Sequence, residues 1–557
     1  MTLGPLIVQS DHTVLLEVAH PDAEDARHAL AVFAELERAP EHIHTYRITR
    51  LGLWNARAAG HTAEEIIATL DRYAKFPVPS QVSNEIAETM RRYGRLTIER
   101  ISAGDQQSPL VLRSDDPAIL REVASAKKIA PLLGNKLDEQ TFPVEPWARG
   151  ELKQQLVARG WPAEDLAGYT PGEPYDIELT STSPSAGSAA GQWEMRDYQQ
   201  KAVDAFAAGG SGVVVLPCGA GKTIVGAGAM AAVGAKTLIL VTNAVSARQW
   251  RDELLRRTTL EPDDIGEYSG QVKEVKPVTI ATYQILTSRR RGEYAHLSLL
   301  DAQDWGLIVY DEVHLLPAPV FKLTAELQAR RRIGLTATLV REDGREGDVF
   351  SLIGPKRYDA PWKDIEAQGF IAPAACFEIR VELPESERFD YSVAEDQDRY
   401  RIASSSSSKQ PVARRILEKH EGESVLVIGQ YIDQLEAFAE ALDAPLITGQ
   451  TPVDERERLF AAFRAGEIKL LVVSKVANFS VDLPDASVAI QISGSFGSRQ
   501  EEAQRLGRLL RPKADGLTAS FYTLVTRDTV DQDFAQNRQR FLAEQGYAYT
   551  IMNADEL

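Results

Sequence analysis

Short apolar runs alternate with helical patterns twice along this chain, and that alternation limits its fold more than any other feature. The first series is Val213–Leu216, Thr237–Thr242, Val278–Thr282, Leu307–Tyr310 and Ile333–Thr336. The second is Ser424–Ile428, Pro445–Thr448, Lys469–Ser474, Ser487–Ile492 and Ser520–Val525. Runs this short, separated by amphipathic stretches, make βα units and hence parallel sheets. Two series predict two α/β domains, 192–368 and 369–557, joined between Glu366 and Ala375.

Only the first series carries a glycine-rich turn. Leu216-Pro217-Cys218-Gly219-Ala220-Gly221-Lys222-Thr223 lies between the strand-like Ser211–Leu216 and a helical stretch ending at Val233. Gly219 and Gly221 let a loop turn its N–H groups toward phosphate oxygens, and the helix start adds the positive end of its dipole. Lys222 can reach β- and γ-phosphates, and Thr223 can ligate Mg²⁺. Leu216 stands where the usual form of this loop has its first glycine.

Two further groups complete a reaction. The run Leu307–Tyr310 ends in Asp311-Glu312-Val313-His314. Carboxylates at a strand end lie where open α/β sheets bind ligands. Asp311 fits the Mg²⁺ carboxylate, and Glu312 the group that orients and deprotonates a water. His314 either couples hydrolysis to the other domain or packs. Far downstream, Gln504, Gly507, Arg508 and Arg511 fall along one helix flank. Across a cleft, Arg508 and Arg511 could meet the γ-phosphate as arginine fingers, with Gln504 orienting water or phosphate. Upstream, Gln199 of Arg196-Asp197-Tyr198-Gln199 can pair with adenine N6 and N7, and Tyr198 or Arg196 can stack on the ring. Thr336-Ala337-Thr338 offers hydroxyls to relay nucleotide state. The ordered set reads as a nucleotide-driven motor.

Thr180–Gly191 is small and polar and predicts a flexible linker, 180–191. Before it lie two smaller mixed units, 1–105 and 106–179. The first has a strand-like start, Leu6–Val18, then amphipathic helices over Asp25–Arg38 and Thr62–Ala74. The Ser404–Ser408 run with Lys409 predicts a mobile loop. Two cysteines among 557 residues, Cys218 and Cys376, exclude a disulfide framework and a zinc cluster, and fit a reducing cytoplasm. The start of the chain has no secretory pattern, and no apolar stretch is long enough to span a bilayer. His20, His28, His42 and His44 are scattered and predict no metal site.

Net charge is −18, which argues against nucleic acid only until the basic clusters are counted. Arg289-Arg290-Arg291, Arg330-Arg331-Arg332, and Arg505, Arg508, Arg511 with Lys513 each read either as DNA-facing or as solvated. A motor stepping over any sequence grips phosphates. The candidate contacts are Arg248, Gln249 and Thr282 in the first domain, and Ser474 and Asn478 in the second.

The ordered motifs resemble those of superfamily 2 helicases, and most specifically the xeroderma pigmentosum group B (XPB) DNA repair helicases. Arg341-Glu342-Asp343 looks like that family's RED triplet. Gly494–Arg511 resembles its final helicase motif, and Arg538–Ile551 its C-terminus. Residues 1–100 resemble its N-terminal domain, and 109–179 take the place of its damage-recognition-like domain. The resemblance implies two RecA-like parallel-sheet helicase domains after two smaller α+β domains. It implies an ATP-dependent 3′→5′ DNA helicase or translocase of nucleotide excision repair, using ATP and Mg²⁺ on single-stranded and forked DNA. Arg341, Glu342 and Asp343 would then act at the fork. A monomer without membrane attachment is expected, and a nuclease partner follows from the likeness to archaeal relatives. Ala477–Asp482 departs from the Gly-Asp-Thr-Ser type sequence of eukaryotic members, and the eukaryotic terminal extensions are missing. Two other readings stay open: an RNA helicase, and an ATP-switched protein that clamps or anneals DNA with little unwinding.

Overall fold

Parallel strands covered on both faces are largely apolar, and so are the strands of the two series. The computed structural model describes residues 4–39, 42–102, 105, 108–180, 193–217, 219–270, 272–290, 293–317, 320, 327–328, 330–337, 345–360, 365, 374–474, 486–494, 519–544 and 549–557. Within them the first series forms a seven-stranded parallel sheet. Its order is Ile265–Tyr268, Val278–Thr282, Thr237–Val241, Leu307–Asp311, Arg331–Thr336, Ser211–Val215, Lys356–Asp359. Ser211–Val215, Thr237–Val241 and Val278–Thr282 are buried at every position.

The second series forms another seven-stranded parallel sheet. Its order is Leu446–Ile447, Leu470–Ser474, Val425–Gly429, Val488–Gln491, Ala519–Thr526, Ala374–Val381, Tyr549–Asn553. Sequence reading misses one strand at each end of the first sheet, Ile265–Tyr268 and Lys356–Asp359, and in the second sheet Ala374–Val381 and Tyr549–Asn553. The expected linker and the joint between the α/β domains fall almost wholly outside the described residues.

The first N-terminal unit has an antiparallel sheet in the order Leu6–Val8, Thr13–Glu17, Ile43–Ile48, Ala34–Arg38. Thr62 caps the helix Ala63–Tyr73 through a reciprocal pair with Glu65, as its sequence suggests. The helix expected over Asp25–Arg38 is shorter. It spans Ala23–Leu30, and Ala34–Arg38 is a strand whose Ala34 and Leu36 face the core. Good helix formers are overridden there by pairing with Ile43–Ile48. Leu96–Arg100, placed by sequence in the first unit, instead joins the second unit's sheet, between Leu110–Arg113 and Ala163–Asp165. The boundary therefore falls before Leu96.

The N-terminal units pack on the first parallel sheet. Phe350 lies between Trp54 and Tyr93, with both ring centroids 6.3 Å away. Gln154 donates to Asp348 at 2.8 Å, and the Lys356 N–H donates to Asn55 at 2.9 Å. The Ser404–Ser408 run is not an exposed loop. Ser404 and Ser406 are buried, and Lys409 lies fully buried against Asp531 at 2.8 Å. Arg332 of the Arg330–Arg332 cluster is buried too, donating to the Leu352, Gln328 and Leu327 carbonyls at 2.8, 2.8 and 3.1 Å, so it faces no nucleic acid. Arg289 and Arg290 are exposed on a short hairpin.

Candidate nucleotide site

The glycine turn adopts the backbone its sequence calls for. Gly219 and Gly221 have φ of 81° and 80°, in the left-handed region that disfavours side chains. At Gly221 space forbids one as well, because a Cβ would meet Gln199 Nε2 at 2.4 Å. Helix Lys222–Val233 starts directly after it, with Thr223 half-buried in the first turn. Leu216 is buried, and its N–H donates to the Thr336 carbonyl at 2.9 Å. The unusual residue at the loop's start thus ties it to the neighbouring strand. Pro217 and Ala220 are buried, and Cys218 lies outside the described residues.

The Arg196–Gln199 segment braces this loop. Gln199 Nε2 and Tyr198 Oη both donate to the Ala220 carbonyl, at 2.8 and 2.7 Å. Gln199 Oε1 accepts the Arg196 N–H at 3.0 Å, and Arg196 Nη1 donates to Tyr198 Oη at 3.1 Å. Gln199 is 1% exposed and Tyr198 3%. Neither presents an edge or a face to an incoming base here. In this structure the Gln199 amide and the Tyr198 hydroxyl satisfy the buried Ala220 carbonyl and so brace the loop. Only Arg196, half-buried, keeps surface at this position.

The acidic strand end meets the loop. Lys222 Nζ donates to Glu312 Oε1 at 2.6 Å, joining residues that sequence alone leaves far apart. Glu312 has φ 49°, a strained conformation for a residue other than glycine, held by its partners. His314 Nδ1 lies 3.5 Å from Glu312 Oε2 and 2.6 Å from Thr336 Oγ1. Burial pushes the Glu312 carboxyl up. The Lys222 ammonium, His314 and the Ala337 N–H outweigh it and hold the group below its usual value. Thr336 and Ala337 therefore touch the acidic box, as a relay of nucleotide state requires; Thr338 lies outside the described residues.

Asp311 is different. Burial and the adjacent Glu312 charge push it up to about 6, against the pull of Lys222 and a hydrogen bond from Trp250 Nε1 to Asp311 Oδ2 at 3.0 Å. Tyr283 Oη fixes the backbone by donating to the Asp311 carbonyl at 2.7 Å. A half-buried carboxylate so short of positive charge fits a divalent cation. Trp250 and Tyr283 are site residues that sequence reasoning misses. The available signal was weak: a buried Trp or Tyr needs a partner for its N–H or O–H.

Of the expected DNA contacts, Arg248 and Gln249 are exposed on helix Ala244–Arg257. Thr282 and Ser474 are 4% and 2% exposed, so neither hydroxyl offers surface to a nucleic acid in this structure. Both end strands whose last side chain turns into the fold. Arg341, Glu342, Asp343, Asn478, Gln504, Arg508 and Arg511 lie outside the described residues. None of the described helices is long and apolar enough to cross a membrane.

A braced phosphate loop and an acidic strand end in the first of two parallel sheets define a RecA-like helicase. Residues 365–556 match the ERCC3/RAD25/XPB C-terminal helicase family. Residues 192–341 match the family described as type III restriction enzyme, res subunit, and 6–138 a helicase conserved C-terminal domain. The DNA 3′-5′ helicase XPB of Kineococcus radiotolerans is 65% identical over all of this chain and 98% of its own length. That of Mycobacterium tuberculosis is 62% identical over all of this chain and 99% of its own. The XPB/SSL2 subunit of general transcription and DNA repair factor IIH in Saccharomyces cerevisiae is 30% identical, over 98% of this chain and 72% of its own. The chain belongs to the XPB family of DNA 3′-5′ helicases.

Proposed function

We propose that this chain is an ATP-driven 3′→5′ DNA helicase acting in repair, with Lys222, Thr223, Asp311 and Glu312 as the hydrolytic centre in its first parallel sheet. The Lys222–Glu312 contact carries the reading, because it brings the phosphate loop and the acidic box into one site. Lys222 neutralises Glu312 until triphosphate enters. Phosphate oxygens then compete for the ammonium, and Glu312 is left as a carboxylate able to take a proton from water. His314, bonded to Thr336, follows the same change toward the segment beyond Ala337.

Thr223 and Asp311 would hold Mg²⁺, which when bound neutralises charge on the transferred phosphoryl group. Arg508 and Arg511, with Gln504, would supply charge from the second sheet. DNA would be gripped through phosphates, with Arg248 and Gln249 on the first domain, Asn478 on the second, and Arg341, Glu342 and Asp343 at the fork. A nuclease partner, a monomeric state and a cytoplasmic location complete the proposal. The unlike RNA-helicase reading loses support because the matched relatives are named DNA helicases.

Turnover of Lys222→Ala tests the hydrolytic centre. The variant keeps its far-ultraviolet circular dichroism and loses DNA-stimulated ATP hydrolysis by about 10²-fold or more, as expected when a preorganised charge is removed from phosphoryl transfer. Wild-type turnover in the folded variant would remove Lys222 from the site.

A further inference from the structure

The contact between the second N-terminal unit and the first parallel sheet buries more positive than negative charge. Arg149 and Lys153 on helix Arg149–Ala158, and Arg332 on strand Arg331–Thr336, are all buried. One carboxylate, Asp165, faces them. It accepts from Arg149 at 3.0 and 2.7 Å and from Lys153 at 2.8 Å. Arg332 is held by carbonyl oxygens and, among the described residues, by no carboxylate. Three buried cations thus share one half-buried counter-charge.

Beside them lies a cavity of about 260 Å³, lined by Lys153, Arg332 and Arg357 among its cations and by Asp165 and Glu164 among its acids. Asp165 already serves two partners, and Glu164 stands half-buried, shared with an outer cleft that carries Arg57, Arg91 and Arg95. The space is several times the roughly 30 Å³ share of one water. Among the described residues Lys153 donates only to Asp165, so the ammonium has N–H groups to offer the cavity. Uncompensated buried charge next to a polar cavity is where a counter-ion is stabilised. The walls come from three units: Ala58 and Tyr93 of the first N-terminal unit, Lys153 and Asp165 of the second, and Arg332 and Arg357 of the domain with the first parallel sheet.

We propose that this cavity binds an oxyanion of the phosphate class and so clamps the second N-terminal unit to the motor sheet. Two sources share that chemistry: free orthophosphate and the terminal phosphate of a nucleic-acid strand. The outer arginines would draw either one inward.

The test uses the full chain with its nucleotide site saturated by a non-hydrolysable ATP analogue and Mg²⁺, so that the phosphate loop cannot take the probe. Calorimetric titration with orthophosphate at constant ionic strength should show one further bound equivalent and a raised Tm. Lys153→Met should weaken that binding about ten- to hundredfold, the effect of losing a charged hydrogen-bond donor. Arg357→Gln, at the half-buried mouth, should weaken it in the same direction and serves if Lys153→Met does not fold. Competition by a 5′-phosphorylated oligonucleotide but not its hydroxyl-ended twin would support the site with a strand end as its ligand. Competition by neither would support it with the free anion. No orthophosphate binding beyond the nucleotide site, or binding that both variants leave unchanged, would overturn the proposal.

Discussion

Lys222 and Glu312 form an ion pair that, in the proposed mechanism, has to break for chemistry to begin. Each stabilises the other, and the Lys222 charge helps to hold the half-buried Glu312 carboxyl below its usual value. Asp311, next in sequence, has no such partner and lies at about 6. The sign of its pH effect follows. Between the ordinary carboxylate range and about 6, the folded protein keeps a proton that the unfolded chain releases, so this group's contribution to stability falls as pH rises through that window. If Asp311 holds Mg²⁺ as proposed, binding needs the carboxylate and must expel the proton. Calorimetry of Mg·ADP binding in buffers of different ionisation enthalpy should therefore show proton release near pH 5.5 that fades by about pH 7.5. Release independent of pH would take Asp311 out of the metal site.

Trp250 places that carboxylate through one N–H bond. Trp250→Phe keeps most of the ring volume and deletes the donor. The Mg²⁺ concentration giving half-maximal ATPase should rise about tenfold or more, as for losing a hydrogen bond to a charged group. An unchanged Mg²⁺ requirement would make Trp250 a packing residue only. The glycine turn and the acidic strand end were legible in the sequence as features of one sheet, and the Lys222–Glu312 contact brings them together. Trp250 was not, since its contact depends on how helix Ala244–Arg257 lies over the sheet. The contact of Gln199 with the loop was not legible either, because spacing does not reveal that its amide reaches the Ala220 carbonyl.

At the scale of elements, central strands were legible and sheet margins were not. Thr237–Val241 is buried throughout and apolar after Thr237, whereas Lys356–Asp359 pairs along one edge and carries polar side chains that leave no pattern. The Ser404–Ser408 run misled through composition. Ser404, Ser406 and Lys409 are buried, and the partner of Lys409, Asp531, lies far along the chain. That pair fastens helix Lys409–Lys419 to the start of helix Val530–Glu544. Lys409→Met should destabilise the protein by about 3–5 kcal/mol, since it leaves a buried carboxylate uncompensated. Adding Asp531→Asn should recover part of the loss. Urea denaturation of the single and double variants measures both, and additive losses would mean that the pair is not coupled.

The whole molecule joins two small N-terminal units, a nucleotide-binding sheet and a second parallel sheet in one chain. The two-sheet plan was legible because buried parallel strands leave apolar runs. The docking of the N-terminal units was not, because Phe350, Gln154 and Asn55 look ordinary until their partners across units are known. Family membership makes the chain a 3′-5′ DNA helicase by kinship, and the hydrolytic centre supplies the physical reason. Strand displacement from duplexes with either a 3′ or a 5′ single-stranded tail, by wild type and by Glu312→Gln, tests that link directly. ATP-dependent displacement from the 3′-tailed duplex alone is expected. Glu312→Gln should still bind Mg·ATP but lose displacement together with turnover, by about 10²–10⁴-fold. Displacement indifferent to tail polarity, or undiminished in Glu312→Gln, would contradict the account.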